Sequence, residues 1–454
     1  MEAKKYILVL LLIATFVATV SCSSSGENTD NTVSETKNKK VELKMDVMTY
    51  ERYLLPAIKK FNETHKDISI NYGDVISYSE EYRNKYITRL SVGEGPDIIR
   101  IDPRIGLLTA IHKTADSGIF YDLNELIKND KSFKLSDYNQ KVLDSGVISG
   151  KRVLVPLCYN FSTFFAKEGV LKANGFTTEG DKYTLENFAN EVYTFMQKNK
   201  DSGKYFMTLK NFALSDIVKI SGLNFIDFEK RNSNFDSKEF VNLLNIYKKL
   251  DSVKTELPEN IMMYGSDDVF GSSIGCPDFD TDKALIINNM YSEIWSRDKY
   301  NKLANANLFP QYTSKQSIIM EPYVSFAINS KCEHKKEAFE FIKLLLSEEF
   351  QTVNSFNGFI GLPVNNNAYS NSVNFYISNL INAQAVTGEY DAEKRKAQVK
   401  EQYKEIEKIS VCSNVDAQIY DIINEEAKNF TDGKYSAKKT AESIQNKVML
   451  YLNE

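Results

Sequence analysis

The first regular pattern of hydrophobic and polar residues runs from Val41 to Met48 and alternates with a period of two. This period predicts a β-strand. Apolar residues at helical spacing between Leu54 and Phe61 predict a helix, Ile68–Ile70 predicts a second strand, and Asp97–Ile101 predicts a third. Strands and helices that alternate in this order form right-handed βαβ units around a parallel sheet.

A second helix is predicted between the second and third of these strands. Ser77 and Glu80 have the spacing of a capping box, so the helix is expected to begin at Ser77. Tyr82, Tyr86, Ile87 and Leu90 are expected to form its buried face, and Gly93 is expected to end it.

The remainder of the chain is richer in helices. Helical patterns begin at Thr184 and Ser237, and a strongly apolar one covers Glu337–Phe350. Strands are predicted at Ala284–Ile287 and Tyr323–Ile328. The fold class is therefore α/β with a helical C-terminal region.

The N-terminus has the pattern of an export signal. Met1–Lys5 contains two lysines, and Ile7–Val20 is almost wholly apolar but short for a membrane span. The sequence from Ala18 to Cys22 is similar to the lipobox of bacterial lipoproteins, in which the cysteine is acylated. We expect residues 1–21 to be a lipoprotein signal peptide and Cys22 to carry the lipid. An ordinary secretory signal with an incidental cysteine is the alternative.

Residues 22–40 are predicted to be a disordered tether. After Cys22 they are rich in Ser, Asn, Thr and Lys, with Val33 as the single aliphatic residue, so they cannot form a core. A coil of this length spans about 25 Å. It would hold a globular domain close to a membrane surface.

Composition indicates a globular protein without an obvious inorganic site. The chain of 454 residues is 42% hydrophobic and 26% charged, and its net charge of −5 gives no reason to expect nucleic acid binding. No CxxC pair occurs, so a zinc site is not predicted, and disulfide pairing is left open. The cysteines besides Cys22 are Cys158, Cys276, Cys332 and Cys412.

Motifs that would indicate catalysis lack their structural context. Gly271–Gly275 matches GxSxG but is flanked by loop-forming residues instead of a strand and a helix. Asp278–Asp282 imitates the start of a calcium loop, yet Lys283 stands where glycine is required. We therefore predict neither an enzyme nor a cofactor or metal. The dispersed histidines, His65, His112 and His334, are expected to lie at the surface.

Several short motifs follow one another along the chain, and one of them, Tyr86–Asp97, has the pattern Y-x-x-x-L-x-x-G-x-G-P-D. In their order, these motifs resemble family 1 extracellular solute-binding proteins, the family that includes maltose-binding protein. Met290, followed by Tyr291, stands where the family commonly has a sugar-stacking tryptophan, and Trp295 follows late. The resemblance covers nearly all of Val41–Glu454. Its motifs lie at Tyr86–Asp97, Gly118–Leu123, Gly150–Pro156, Ala166–Phe176, Lys283–Asn289, Ala338–Val364 and Gly433–Leu452.

The resemblance implies a two-lobe periplasmic-binding-protein-like fold of type II, in which each lobe is a mainly parallel sheet flanked by helices. Lobe one is expected to comprise residues 41–156 plus 327–362, and lobe two residues 157–326 plus 363–454. A solute would bind between the lobes and shift an open–closed equilibrium by its differential affinity.

The implied function is that of a monomeric, lipid-anchored, extracytoplasmic substrate-binding protein of an ABC importer. Its partners would be membrane permease subunits and, indirectly, an ATPase. An aromatic content of 12% favours a carbohydrate, because flat rings stack on the apolar faces of sugars. A binding protein that serves a sensor kinase, a binder of peptides or glycerol phosphates, and a secreted carbohydrate-active enzyme are the alternatives.

Candidate ligand residues follow from the fold, because ligands meet the loops beyond the carboxyl ends of parallel strands and the segments that cross between lobes. Core packing is the alternative for each tyrosine. Asp102 and Asn160 are expected to face a hydrated cleft. The candidates are Tyr50, Glu51, Ser77, Tyr78, Asp102, Arg104, Tyr159, Asn160, Met290, Tyr291 and Tyr420.

Replacement of the predicted lipid-bearing residue tests the anchor. Since Cys22 would be the point of acylation, Cys22→Ser should move the folded protein from the membrane fraction to the soluble extracytoplasmic fraction. Fractionation followed by immunoblotting measures this. A folded variant that remains with the membrane would contradict the lipoprotein interpretation.

Overall fold

A computed structural model describes residues 40–51, 53–102, 106–208, 211–255, 281–291, 306–309, 319–352, 361–387, 397, 400, 411–412 and 415–454. Lys40–Glu454 forms one compact unit. The predicted signal peptide and Cys22 lie outside the described residues. So do the GxSxG sequence and Trp295.

The strands include the three that the sequence predicted near the start of the chain, and the two predicted later, at Ala284–Ile287 and Tyr323–Ile328, are longer than predicted. They are β1 (Val41–Lys44), β2 (Ile68–Asn71), β3 (Ile98–Ile101), β4 (Val147–Ile148), β5 (Lys151–Arg152), β6 (Val155–Lys167), β7 (Tyr205–Thr208), β8 (Ile226–Asp227), β9 (Asn232–Ser233), β10 (Ala284–Tyr291), β11 (Ala306–Phe309), β12 (Ile319–Ile328), β13 (Leu362–Pro363) and β14 (Val411–Cys412).

Helices surround these strands and dominate the C-terminal region, as predicted. They are α1 (Leu54–Thr64), α2 (Glu80–Ser91), α3 (Ile111–Asp116), α4 (Asn124–Asn129), α5 (Gln140–Asp144), α6 (Glu168–Ala173), α7 (Leu185–Lys198), α8 (Leu214–Ser221), α9 (Lys238–Asp251), α10 (Lys335–Leu346), α11 (Glu348–Gln351), α12 (Asn366–Thr387), α13 (Ala417–Thr431) and α14 (Ala437–Asn453).

Hydroxyl caps explain where several helices begin. The Thr184 and Ser237 hydroxyls accept hydrogen bonds from backbone N–H groups in the first turns of α7 and α9, which confirms both predicted starts. The predicted start of α2 at Ser77 is wrong. The cap is Ser79, whose Oγ accepts from the Tyr82 N–H at 3.0 Å. Ser77 and Ser79 both precede this helix. Because Ser79 is the cap, Glu80 is the first residue of the helix.

The sheet begins as predicted and then becomes mixed. β1 pairs in parallel with β2, and a parallel bridge from Met45 to Ile98 connects β1 to β3. β12 joins β3 and β6 in antiparallel fashion, and β6 also pairs antiparallel with β10, β11 and β13. The α/β class is confirmed, but the expectation of mainly parallel sheets is wrong. The chain leaves along β6 and returns along β12, so these two neighbours run in opposite directions.

Two large hydrophobic cores lie along this sheet. The first collects β1, α1, the start of β6, the end of β12 and α10, with Phe61 and Phe341 at its centre in edge-to-face contact at 5.3 Å. The second collects α7, α8, α9, part of β10 and the C-terminal helices α13 and α14. A smaller cluster covers the other face of β3 through Ile99 and Ile101, while Ile98 faces the first core. Both faces of this strand are therefore buried.

β6 is the strand that belongs to both large cores. Val155, Leu157 and Cys158 lie in the first core and Ala166 lies in the second. At about 3.3 Å per residue, a strand of this length extends about 40 Å. One continuous, hydrogen-bonded segment therefore crosses from one core to the other.

Two further observations concern cysteines and hydropathy. Cys158 and Cys332 are buried as thiols and not as halves of a disulfide, which answers for these two residues the question of disulfide pairing that the sequence left open. Among the described residues, every helix is too short or too polar to cross a bilayer.

Candidate functional site

The carboxyl ends of β1 and β2 meet at one edge of the sheet. The Ile76 N–H donates to the Val47 carbonyl, and the Thr49 N–H donates to the Ile76 carbonyl, both at 2.9 Å. The segment that leads to Glu51 therefore lies beside the segment that leads to Ser77 and Tyr78. Ser77 is exposed and Tyr78 is 45% exposed, so neither is a core residue.

A buried group of three charged side chains stands at this same edge. Arg100, on β3, forms ion pairs with Glu51 and with Asp102, the latter at 2.6 Å between Nη2 and Oδ2. Glu51 Oε2 also accepts a hydrogen bond from the Met48 N–H at 2.8 Å. All three side chains are almost completely buried. The fold thus brings together two predicted site residues through a cation that the prediction did not include.

Arg100 could have been inferred from the sequence. It lies between isoleucines in a strand that is buried on both faces, and an arginine in such a position needs carboxylate partners. The nearby Glu51 and Asp102 were already candidates. With two carboxylates and one guanidinium, the trio retains one formal negative charge.

The expectation that Asp102 and Asn160 face a hydrated cleft is wrong. Asp102 is 5% exposed and Asn160 is 1% exposed. Asp102 lies against Arg100, and Asn160 lies on the crossing strand β6 beneath the segment that enters β13. If either side chain binds a solute, it does so from a buried position and not from a water-filled cleft.

The neighbourhood of Asn160 is closely packed because the chain returns past it. Gly361 has a φ of +108°, and a Cβ added there would lie 2.9 Å from Cys158 Sγ and 3.3 Å from Asn160 Oδ1. Only glycine fits both that backbone conformation and that space. The neighbouring Tyr159 is also buried, at 3% exposure.

A second polar group lies opposite Asn160. In the register of β6 and β12, Asn160 is paired with Glu321. The Glu321 carboxylate forms an ion pair with Lys219 of α8 at 2.7 Å, and the Lys219 ammonium lies 4.6 Å above the centre of the Tyr420 ring. Tyr420, on α13, is thereby brought towards the crossing strands. Sequence reasoning included Tyr420 and Asn160 but missed Lys219 and Glu321.

Electrostatics keep the Lys219 ammonium charged. Burial lowers the pKa of Lys219, but the Glu321 carboxylate and the Tyr420 hydroxyl offset that effect, and the pKa is raised above its ordinary value. The side chains of Lys219 and Glu321 are each about one-third exposed, so this pair remains accessible to a solute.

The two polar groups lie near one another along the crossing strands. Ile101 is opposite Ser325 on β12, so Asp102 reaches the level of Val324, three residues from Glu321. That separation is about 10 Å along the strand. Carboxylates, an amide, an ammonium and an aromatic ring in this region provide both donors and acceptors, as polar solutes require.

The remaining candidates are described only in part. Met290 and Tyr291 end β10, where their backbones pair with Ser162 and Phe161 of β6, adjacent to Asn160. Tyr50 lies in a short 3-10 turn at Thr49–Glu51. Arg104 lies outside the described residues. Within the described ranges, no group of three His, Cys, Asp or Glu side chains is arranged to hold a metal ion.

Comparison with known proteins agrees with this architecture. Residues 48–216 match the family model described as bacterial extracellular solute-binding protein. The matched segment includes the Glu51–Arg100–Asp102 group and the crossing strand β6. Over these residues the resemblance inferred from the sequence motifs is confirmed.

Solved structures share the fold across almost the whole chain. An ABC substrate-binding protein from Listeria monocytogenes, solved with cycloalternan, is 14% identical and has a TM-score of 0.62, with 91% of this chain and 100% of that chain covered. A periplasmic oligogalacturonide-binding protein from Yersinia enterocolitica is 15% identical, with a TM-score of 0.61 and coverage of 91% and 99%. A cyclic α-maltosyl-1,6-maltose-binding protein from Arthrobacter globiformis is 15% identical, with a TM-score of 0.58 and the same coverage.

Removal of the shared cation tests the structural role of the charged group. Arg100→Leu leaves two buried carboxylates without this partner, so the free energy of unfolding should fall by about 3–5 kcal/mol. Urea unfolding measures the change. Lys59→Ala is the matched control, because Lys59 pairs with Glu63 at 3.9 Å on an exposed helix face, and its loss should cost less than about 1 kcal/mol. Equal costs for the two variants would contradict the assignment.

Proposed function

Because this chain matches the bacterial extracellular solute-binding proteins over residues 48–216 and shares their fold, we propose that it is the substrate-binding protein of an ABC importer. It captures a carbohydrate, most readily an oligosaccharide, between two lobes and delivers it to the permease. The observation that carries this proposal is a fold shared over 91% of the chain with a substrate-binding protein solved with cycloalternan and with an oligogalacturonide-binding protein.

The two hydrophobic cores support the proposed lobes. Lobe one, residues 41–156 plus 327–362, contains most of the first core, and lobe two, residues 157–326 plus 363–454, contains the second. β6 and β12 are the crossing segments. Both strands keep their hydrogen-bonded neighbours where they pass between the lobes. Rotation of one lobe would therefore bend these paired strands and leave both hydrophobic cores intact.

Solute recognition would use both lobes at once. Glu51 and Asp102, held by Arg100, offer carboxylate oxygens from lobe one to sugar hydroxyl groups. Asn160, Lys219 and Tyr420 offer an amide, an ammonium and a ring from the crossing and lobe two. A solute that contacts both sets binds the closed form better than the open form, and this difference drives closure.

Location and partners follow from the same proposal. The protein works outside the cytoplasm, tethered by the lipid on Cys22 and the polar residues 22–40. Two permease subunits in the membrane recognise the closed form, and the ATPase is an indirect partner. In this arrangement the protein itself carries out no covalent chemistry.

Closure can be measured once the solute is known. Native mass spectrometry of the freshly purified protein should show a bound oligosaccharide, and its removal should shift the population of molecules towards the open form while part of it stays closed. Small-angle scattering should then give a smaller radius of gyration after that oligosaccharide is restored, with an unchanged circular dichroism spectrum. A bound peptide in the mass spectrum would contradict the assignment of a carbohydrate as the solute. An unchanged radius of gyration would contradict hinge closure.

The side-chain amide of Asn160, on the crossing strand β6, provides a test of the site itself. Asn160→Ala removes a buried hydrogen-bonding group, and loss of a hydrogen bond to solute costs about 1–3 kcal/mol. Affinity for the co-purified oligosaccharide should therefore fall roughly 5- to 150-fold by calorimetry. Asn190→Ala, on the exposed face of α7, is the control and should leave affinity unchanged. Full affinity in Asn160→Ala would remove this residue from the site.

A further inference from the structure

Helix α3 begins without a cap of its own. The residue before it is Ala110, which has no side-chain acceptor for the N–H groups of the first turn. The His112 N–H instead donates to Asp416 Oδ1 at 3.0 Å. Asp416 is far away in sequence, directly before α13. A carboxylate from another part of the chain therefore caps this helix, where its charge is favourable.

Asp416 receives donors from two directions. The His112 ring Nδ1 lies 2.9 Å from the same Oδ1, so that nitrogen must carry the proton and donate to the carboxylate. The Tyr451 hydroxyl donates to Oδ2 at 2.8 Å. Asp416 is only 1% exposed. Burial and the adjacent carboxylate raise the pKa of Tyr451, which keeps its hydroxyl protonated as a donor.

Stacking and ionic contacts surround this carboxylate. The His112 ring lies flat on Phe228, with 3.5 Å between the centroids and 1° between the planes. The Lys113 ammonium lies 4.1 Å above the Tyr451 ring. Arg231 and Asp116 approach within 3.5 Å at the edge. The sequence had suggested a surface histidine, but the tertiary contacts give His112 specific partners.

The two sides of the His112–Asp416 contact pack in different hydrophobic cores. Ile111, adjacent to His112, packs in the small cluster with Ile99 and Ile101 on β3. Phe228 packs against the second large core, and Tyr451 is part of it. The contact therefore joins the strand system of lobe one to the helices of lobe two, without involving either crossing strand.

Both partners of this contact are close in sequence to residues of the proposed site. Asp416 and Tyr420 are one helical turn apart, and α3 is the first helix after Asp102. We propose that the His112–Asp416 contact is a clasp between the lobes, which holds the closed arrangement and so raises solute affinity without touching solute. This rests on the two-lobe function proposed above, and it identifies His112 as a positioning residue.

Hydrogen exchange tests the clasp directly, in full-length protein freed of solute. An N–H in the first turn of a short helix normally exchanges as an unprotected amide. The His112 amide should instead be protected in the wild type and lose that protection in Asp416→Ala. Tyr451→Phe, which removes only the donor from within lobe two, should keep it. Equal exchange in the wild type and Asp416→Ala overturns the proposal.

Small-angle scattering tests the consequence. Folded His112→Ala, verified by circular dichroism, should have a larger radius of gyration than the wild type in the same solute-free buffer. His65→Ala is the matched control, because the His65 ring stacks on Phe61 within the first core. An unchanged radius in His112→Ala overturns the proposal. Neither measurement uses a solute, so failure of the clasp and failure of the oligosaccharide assignment are distinguishable.

Discussion

The structure depends on one constraint, namely that β6 must pass between two cores while its backbone N–H and C=O groups remain paired. An unpaired backbone group in a buried crossing would be costly. β12 pairs with the first part of β6, and β10 and β11 pair with its last part. β13 is a further short partner at Tyr159. The returning chain must therefore come very close at Gly361, which leaves no room for a side chain there.

Buried charge organises the same region on both sides of the crossing. The partly exposed Lys219 is held by a carboxylate and an aromatic ring, whereas in the interior Arg100 is held by two carboxylates and Asp416 by an imidazole and a phenol. Such groups are tolerated in an interior only when they are paired. Their pairing fixes the loops at the strand ends, so the residues proposed to bind solute are held in position before solute arrives.

In the proposed mechanism, solute binding and lobe contact would be linked through α13. Asp416 directly precedes α13 and Tyr420 lies in the first turn of that helix, so a contact at Asp416 would influence the orientation of the Tyr420 ring. Affinity would then depend on two free energies, that of the solute contacts and that of the clasp between lobes. A solute-binding protein can in this way tune its affinity while its solute contacts remain the same.

The sequence by itself determined the βαβ beginning, the helical C-terminal region and the resemblance to solute-binding proteins, because periodicity and short motifs are local properties. It also placed Asp102 directly after β3, whereas Glu51 lies in a 3-10 turn beyond the end of β1. It did not predict that Arg100 joins these two, that Glu321 lies opposite Asn160, or that Asp416 caps α3. Strand register and contacts between segments hundreds of residues apart are set by how the two cores pack around β6, and only the tertiary structure decides them.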